Sequence, residues 1–580
     1  MGRWRYRLVV GVIWLAVAAA AAAGWLYARS SGPAYGPVIL ISIESLRADR
    51  LPVYGYTRVR TPNIDALAAD SVTFDRAYAH SPLTLPSHVS LLSGLLPFQT
   101  GVRDEVGFPI SSSVSLVPQL LRKRGFKAGG MVSNALLRKE TGLGAAFGFF
   151  DDEFAAGAAD GAAPPAERDS AATLAVAERW IESIQTERFF LFLHLDGMGP
   201  AAEVPARFAK LSPYDGRTAY ADELVGGLIA FLKKRGLYNG GIVVLTSDHG
   251  ESLGSHGEQG HGLMLHEAAV RVPLVIKLPR RDGGGRHSTA LVQHADIAPT
   301  ILDLTGAPTP SAIRGRSLRR VLDSPTATLA DRAVYAESAA GRYRFGWGEV
   351  ASLTDGQHRY IRSARPELYD LVKDPGERAN LVEAEGQKAQ AKRTALDALG
   401  GTAPPPAPAP VAEPERSRLA AMGYVTGLPG VAPDVPGDQL PDVKDKVGAA
   451  NAYWQATTLA ARGQAAEAAA KYAALVAADP GLAIGWARLA DVLAGAGRFK
   501  EAARALASLV ALFPEAERVA EAEQRIRQVI GPEPTAAHYA LAISVWTSLG
   551  EKAKATDVRA AARKAVGDAA LRKAQAAFRD

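Results

Sequence analysis

The chain has 580 residues, 48% of them hydrophobic and 22% charged, values that exclude a disordered or collagen-like polymer. Its 66 basic and 60 acidic residues leave +6, too little over this length to argue for nucleic acid, and no Lys/Arg-rich cluster lies beyond the N-terminus. No cysteine is present, which excludes disulfides, thiolate metal sites, a cysteine nucleophile and a lipid-bearing cysteine.

Arg3, Arg5 and Arg7 precede an uncharged apolar run over residues 8–27. About 20 helical residues span about 30 Å, the hydrocarbon core of a bilayer. Three arginines before the run and Arg29 after it favour a cytoplasmic N-terminus. The expectation is a single-pass anchor (domain 1–30) in the inner, cytoplasmic membrane, with the main domains outside the cytoplasm. The alternative is a cleaved signal peptide, because residues 18–23 are all alanine.

Buried strands are predicted in chain order at 38–43, 127–132, 189–194, 241–247 and 272–278. Helices are predicted at 63–70, 87–95, 114–124, 172–185, 218–235 and 296–305. Apolar strands alternating with helices give an α/β fold, a mostly parallel sheet covered by helices on both faces, over residues 31–400. Residues 155–166, rich in Ala, Gly and Pro, read as a surface insertion. GTAPPPAPAP opens a Pro/Ala/Gly-rich linker over 401–445. From 446 to 580 the chain is alanine-rich and repeats. Gly463, Ala468, Tyr472, Leu475 and Pro480 recur as Gly497, Ala502, Leu506, Leu509 and Pro514, each 34 residues on. That is the period of tetratricopeptide repeats, so an all-α array that recruits a protein partner is expected. A third unit is expected around Tyr539, Trp546, Gly550 and Ala555.

In open α/β sheets the site lies beyond the strand C-termini. The strand at 241–247 runs into Asp248-His249-Gly250-Glu251, and His256, His261 and His266 follow, so four of eleven histidines crowd one short segment. A carboxylate beside an imidazole at a strand end suits a divalent metal. Glu44 directly follows the apolar run at 38–43, and Thr84 opens the segment Thr84-Leu85-Pro86-Ser87-His88 ahead of a helix. Read alone, Asp-His-Gly is also a turn, Glu44 a solvated loop acid and Thr84 a helix cap.

The segments VILISIESLRADRLPVYGYTRVRTPNIDALAADSVTFDRAYAHSPLTLPSHVSLLSGLLPFQTGV, TSDHGESLGSHGEQGHGLMLHEAAVRVPLVI, QHADIAPTILDLTG and PELYDLVKDPGERANL together span about residues 38–381. In this order they resemble the sulfatase family of the alkaline phosphatase superfamily, in its bacterial membrane-anchored form with C-terminal tetratricopeptide repeats. The resemblance implies that Glu44, Thr84, Asp248 and His249 hold one divalent metal ion, with Thr84 in the nucleophile position. It implies His261 as a second catalytic position that contacts substrate or a second metal, with His88 and His256 as further substrate contacts. Zn²⁺ or Mn²⁺ fits the mixed donors best, with Ca²⁺ and Mg²⁺ as alternatives.

The chain also departs from the family. Sulfatases form formylglycine in a Cys/Ser-x-Pro-x-Arg motif, whereas Thr84-x-Pro86-x-His88 stands here, and threonine cannot yield it. Phosphodiesterases and phosphonate hydrolases of the superfamily use threonine. Glu44 replaces an aspartate, and Gly197 and Gly199 fall where an Asp and a His belong, with Asp196 one place away. The expected function is a metal-dependent hydrolase or transferase acting on anionic sulfate, phosphodiester or phosphonate esters. The alternative is a degenerate relative that binds an anionic ligand or partner and serves as a membrane-tethered scaffold.

Overall fold

The computed structural model describes residues 14, 36–154, 168–184, 188–197, 204–400, 406–411, 419, 435–531 and 534–578. Among the described residues nine strands form one sheet: β1 (Val38–Ile43), β2 (Val72–Tyr78), β3 (Lys127–Val132), β4 (Phe149–Asp151), β5 (Phe189–Leu195), β6 (Ile242–Thr246), β7 (Arg271–Val272), β8 (Leu274–Lys277) and β9 (Arg286–Gln293). Their order is β4-β3-β5-β1-β6-β8-β2-β7, with β9 also paired to β2. The five strands from β4 to β6 are parallel, and β8 runs antiparallel to both β6 and β2.

Successive side chains of β1 enter opposite cores, as a pleated strand buried on both faces requires. Val38 and Leu40 pack with Leu85, Val89 and Ile297 from the helices Thr84–Ser93 and Ile297–Leu304. Ile39, Ile41 and Ile43 pack with Ile64, Leu174 and Val225 from the helices Pro62–Ala69, Ser170–Ser183 and Pro213–Lys234. β1 and β3 occupy the residues predicted for them. The strand predicted at 272–278 divides at Pro273, which has no N–H to give a ladder. The insertion at 155–166 lies outside the described residues.

A second, antiparallel sheet follows in the order β10 (Val334–Ser338), β11 (Val350–Thr354), β12 (His358–Arg362) and β13 (Glu367–Asp370). Arg359 on β12 is fully buried and fastens this sheet to the first. It donates to Glu377 Oε1 at 2.9 Å, Glu267 Oε2 at 2.7 Å and Thr354 Oγ1 at 2.8 Å, and lies over the Tyr78 ring. Arg359→Ala takes the buried cation from Glu267 and Glu377, so chemical denaturation should show a loss of about 3–5 kcal/mol. An unchanged midpoint would contradict that.

Beyond residue 442 the described residues are helical: Val443–Ala461, Ala465–Ala478, Ala483–Gly495, Phe499–Val510, Glu515–Ile530, Ala536–Ser548, Lys552–Val566 and Asp568–Ala576. Gly463 and Gly497 turn the chain between consecutive helices with φ of +75° and +74°, a region glycine enters without strain. The apolar core of these helices is continuous with that of the first part of the chain. Val443, Val447 and Tyr453 share one cluster with Tyr78, Leu83, Leu263 and Trp347.

One expectation is corrected. Among the described residues no helix is long and apolar enough to cross a membrane, so the single-pass inner-membrane localisation does not stand. The apolar run at 8–27 on which it rested lies outside the described residues, apart from Trp14.

Candidate active site

Parallel pairing brings three strand ends to one edge. Ser42 on β1 stands in register with His194 on β5 and Thr246 on β6, so Glu44, His194 and Asp248 gather there. The helix Thr84–Ser93, buried along its whole length, brings its first residue to the same edge. Gly250 is required behind it, because a Cβ at that position would lie 2.0 Å from the Ala268 carbonyl oxygen.

Glu44, Thr84, Asp248 and His249 converge. Thr84 Oγ1 donates to Glu44 Oε1 at 3.0 Å and lies 3.5 Å from His249 Nε2, which is 3.3 Å from Asp248 Oδ2. The ring of His249 has its Nδ1 2.9 Å from the Gly250 carbonyl, which can only accept. The proton therefore sits on Nδ1, and Nε2 presents a bare lone pair to the cluster. Asp248 Oδ1 accepts from the N–H groups of Ser45 and His249, each at 2.9 Å. Its Oδ2 is buried with no hydrogen-bond donor. Burial works to raise this carboxyl's pKa, but His249, His88, His194 and the Ser45 N–H outweigh it and hold it below the usual carboxylate range. Burial lowers the pKa of His249 and His88, and lowers His194 to about 3, so these rings are neutral at pH 7. An ionised carboxylate oxygen facing an imidazole lone pair, both shut away from water, is a repulsive arrangement that a cation relieves. The donor set fits a divalent metal. Ligand atoms of Glu44, His249 and His261 lie within 4.8 Å of one another, and those of His88, His194 and Asp248 form a second, separate group of the same spread.

His261 joins this edge. Its ring centroid is 4.3 Å from that of His249, and its Nδ1 is 2.8 Å from Glu251 Oε2. Burial opposes the proton, but the Glu251 carboxylate outweighs it and raises the pKa of His261 to about 9, so a positive ring faces the site at neutral pH. The two remaining sequence candidates are placed differently. His88 is fully buried behind Thr84, its Nδ1–H donating to the Thr84 carbonyl at 2.7 Å and its Nε2 accepting from Ser42 Oγ at 2.8 Å. With both nitrogens engaged within the protein, it supports the turn that carries Thr84. His256 stacks on His266 at 3.4 Å and borders Tyr369, so its contacts are away from the cluster. Asp196, one place from Gly197, accepts from Asn134 Nδ2 at 2.8 Å. Met198 to Pro200 lie outside the described residues.

Three residues of the site were missed in the sequence. His194 Nε2 lies 3.0 Å from Glu44 Oε2 and orients that carboxylate. Its signal was a single polar residue inside the apolar run FFLFLHL. Glu105 Oε1 accepts from Thr84 N–H at 3.2 Å. Ser45 donates its N–H to Asp248 from a strained left-handed backbone, φ +52°. Neither Glu105 nor Ser45 carries a sequence signal.

The loop carrying Glu251 and His261 is held from within by Glu258, which accepts from Leu263 N–H at 2.9 Å and Ser252 Oγ at 2.7 Å. Burial, only partly offset by those donors, raises the pKa of Glu258 to about 7. The folded chain thus binds a proton that the unfolded chain has released between about pH 4.5 and 7. Stability should therefore fall as pH rises through that window, by about 3 kcal/mol from this group. Comparing urea midpoints of the wild type and Glu258→Gln over that range checks this. Parallel profiles would contradict it.

Residues 37–307 match the family model for sulfatases, and residues 254–397 match that for the C-terminal region of N-sulphoglucosamine sulphohydrolase. An N-acetylglucosamine-6-O-sulfatase of Bacteroides thetaiotaomicron is 36% identical over 179 residues, 29% of this chain and 31% of that protein. A Delta 4,5-hexuronate-2-O-sulfatase of the same organism is 22% identical over 414 residues, 59% of this chain and 84% of that protein. The crystal structure of the phosphonate monoester hydrolase of Agrobacterium radiobacter shares the fold at a TM-score of 0.54 and 22% identity, over 63% of this chain and 94% of that one. The chain spans about a third of the length of curated relatives such as the first of these. Residues 37–307 are thus similar to the sulfatase family, and residues 254–397 to the C-terminal region of one of its members.

Proposed function

We propose that the chain is a metal-dependent hydrolase of anionic esters, with Thr84 as nucleophile and sulfate, phosphodiester or phosphonate monoesters as the substrate class. One observation carries this reading: the Thr84 hydroxyl lies 3.0 Å from Glu44 and 3.5 Å from His249, beside the unpartnered Asp248 Oδ2. A divalent ion, Zn²⁺ or Mn²⁺ by donor type, held by Glu44, Thr84, Asp248 and His249 would supply Lewis-acid charge and lower the pKa of the Thr84 hydroxyl. Glu44 receives the Thr84 proton along the existing hydrogen bond. The freed oxygen attacks sulfur or phosphorus, the bond to the leaving oxygen breaks, and that oxygen leaves as the alcohol with a proton from solvent. Water then cleaves the Thr84 ester, its proton passing to solvent while Glu44 returns its own to Thr84 Oγ1. Protonated His261 holds an anionic oxygen of the substrate, close to the positive end of the helix that starts at Thr84. No formylglycine is involved. The glycines at 197 and 199 motivated a non-catalytic scaffold, but the convergence of all four expected ligands favours turnover.

The helices beyond residue 442 act, on this reading, as tetratricopeptide-like repeats that bind a protein partner. The 34-residue period, the left-handed Gly463 and Gly497 and the fully buried Ala468 and Ala502 support it. The test is metal content together with hydrolysis of chromogenic sulfate, phosphodiester and phosphonate esters. Metal-dependent turnover of one class is expected. No bound metal and no turnover on any of them would overturn the hydrolase.

A further inference from the structure

Two parts of the site reach a single helix of the C-terminal region. The loop that carries Glu251 and His261 is built from unfavourable backbone: Leu253 and His256 have φ near +50°, and Gly254, Gly257 and Gly262 are also left-handed. Such a segment keeps its shape only where its surroundings over-determine it. Asn451, on the helix Val443–Ala461, grips the loop at both polarities. Its Oδ1 accepts from Gln259 N–H at 3.0 Å, and its Nδ2 donates to the Gly257 carbonyl at 2.8 Å. His261 is two residues further along.

Trp454 lies three positions on, on the same face of that helix. Its ring sits 5.9 Å under the Arg344 guanidinium and against Phe345. Arg344 donates to Asp104 Oδ1 at 2.7 Å and Glu105 Oε2 at 2.5 Å, and the other oxygen of Glu105 accepts the N–H of Thr84. A chain of contacts therefore runs from Trp454 to the nucleophile, separate from the one that runs from Asn451 to the anion-binding histidine.

We propose that the helix Val443–Ala461 is a strut of the active site, in which Asn451 positions the His261 loop and Trp454, through Arg344 and Glu105, positions Thr84. The proposal rests on the hydrolase reading for the roles of His261 and Thr84, but not for the contacts themselves. It makes the helical region a working part of the site, so an occupant of the repeats could reach the chemistry through this helix.

The test uses full-length protein carrying Asn451→Ala, Trp454→Ala, Trp454→Phe or, as a control on an exposed helix position, Lys471→Ala. Amide hydrogen exchange is followed in peptides 251–263 and 100–106. Asn451→Ala should speed exchange about 10-fold in 251–263 only, and Trp454→Ala in 100–106 only. On an ester that the wild type hydrolyses, Asn451→Ala should raise KM about 10-fold at near-constant kcat, and Trp454→Ala should lower kcat about 10-fold at near-constant KM. Trp454→Phe should restore kcat, and Lys471→Ala should change nothing. Exchange that is unchanged, or raised equally in both peptides, overturns the strut, as does an equal loss of kcat/KM in both variants without a split. If the wild type hydrolyses none of the esters, the hydrolase reading falls, and the exchange pattern alone decides the strut.

Discussion

Thr84→Ala should lower kcat/KM by at least about 10³-fold while leaving thermal unfolding within a few degrees of the wild type. The substitution removes one hydroxyl and one methyl group at a fully buried position. The helix it opens keeps its Glu105 contact, because that bond uses the backbone N–H of residue 84. Glu44 keeps His194 as a partner. What disappears is the proposed attacking oxygen. Thr84→Ser retains that oxygen, and its activity should stay within about 10-fold of the wild type. Steady-state kinetics on whichever chromogenic ester the wild type hydrolyses checks both variants. Alanine at 84 with near-normal turnover would remove threonine from the chemistry.

Glu44→Asp should weaken Zn²⁺ binding and turnover together, each by about 10–100-fold. The reason lies in how both carboxylate oxygens are used. Oε1 receives the Thr84 hydroxyl at 3.0 Å and Oε2 meets His194 Nε2 at 3.0 Å, so the side chain bridges Thr84 and a buried imidazole on β5. Shortening it by one C–C bond, about 1.5 Å, cannot preserve both contacts. On the proposed reading the glutamate is an adaptation matched to His194 and not a worn form of an aspartate. Calorimetric titration of the metal-free proteins reads the affinity directly. Tighter binding in the aspartate variant would mean the site has decayed from a better one.

How much of this was legible in the sequence depends on what each residue contacts. β1 declared itself because a strand buried on both faces is apolar throughout, and the acid that ends it was then conspicuous. Asp248 and His249 were visible for the same reason at the end of β6. β12, by contrast, reads His-Arg-Tyr-Ile-Arg and looks solvated, because the partners that neutralise Arg359, Glu267 and Glu377, lie elsewhere in the chain. His194 was hidden by its neighbours: in a run of phenylalanines and leucines it passes as a strand residue. Its role needs Glu44, 150 residues away, to be seen. His88 packs behind Thr84, and spacing alone cannot tell which side of a helix faces the cluster. The contact between Asn451 and Gln259 joins residues 192 apart, and no local pattern predicts such a meeting.

The measurement that bears most directly on the site is anomalous diffraction at the zinc edge from crystals of the full-length protein soaked in Zn²⁺. The expected result is one dominant peak at about 2.0–2.2 Å from donor atoms of Glu44, Thr84, Asp248 and His249. No peak at the strand ends, or a peak held by His88 and His194 without Thr84, would contradict a metal-activated threonine.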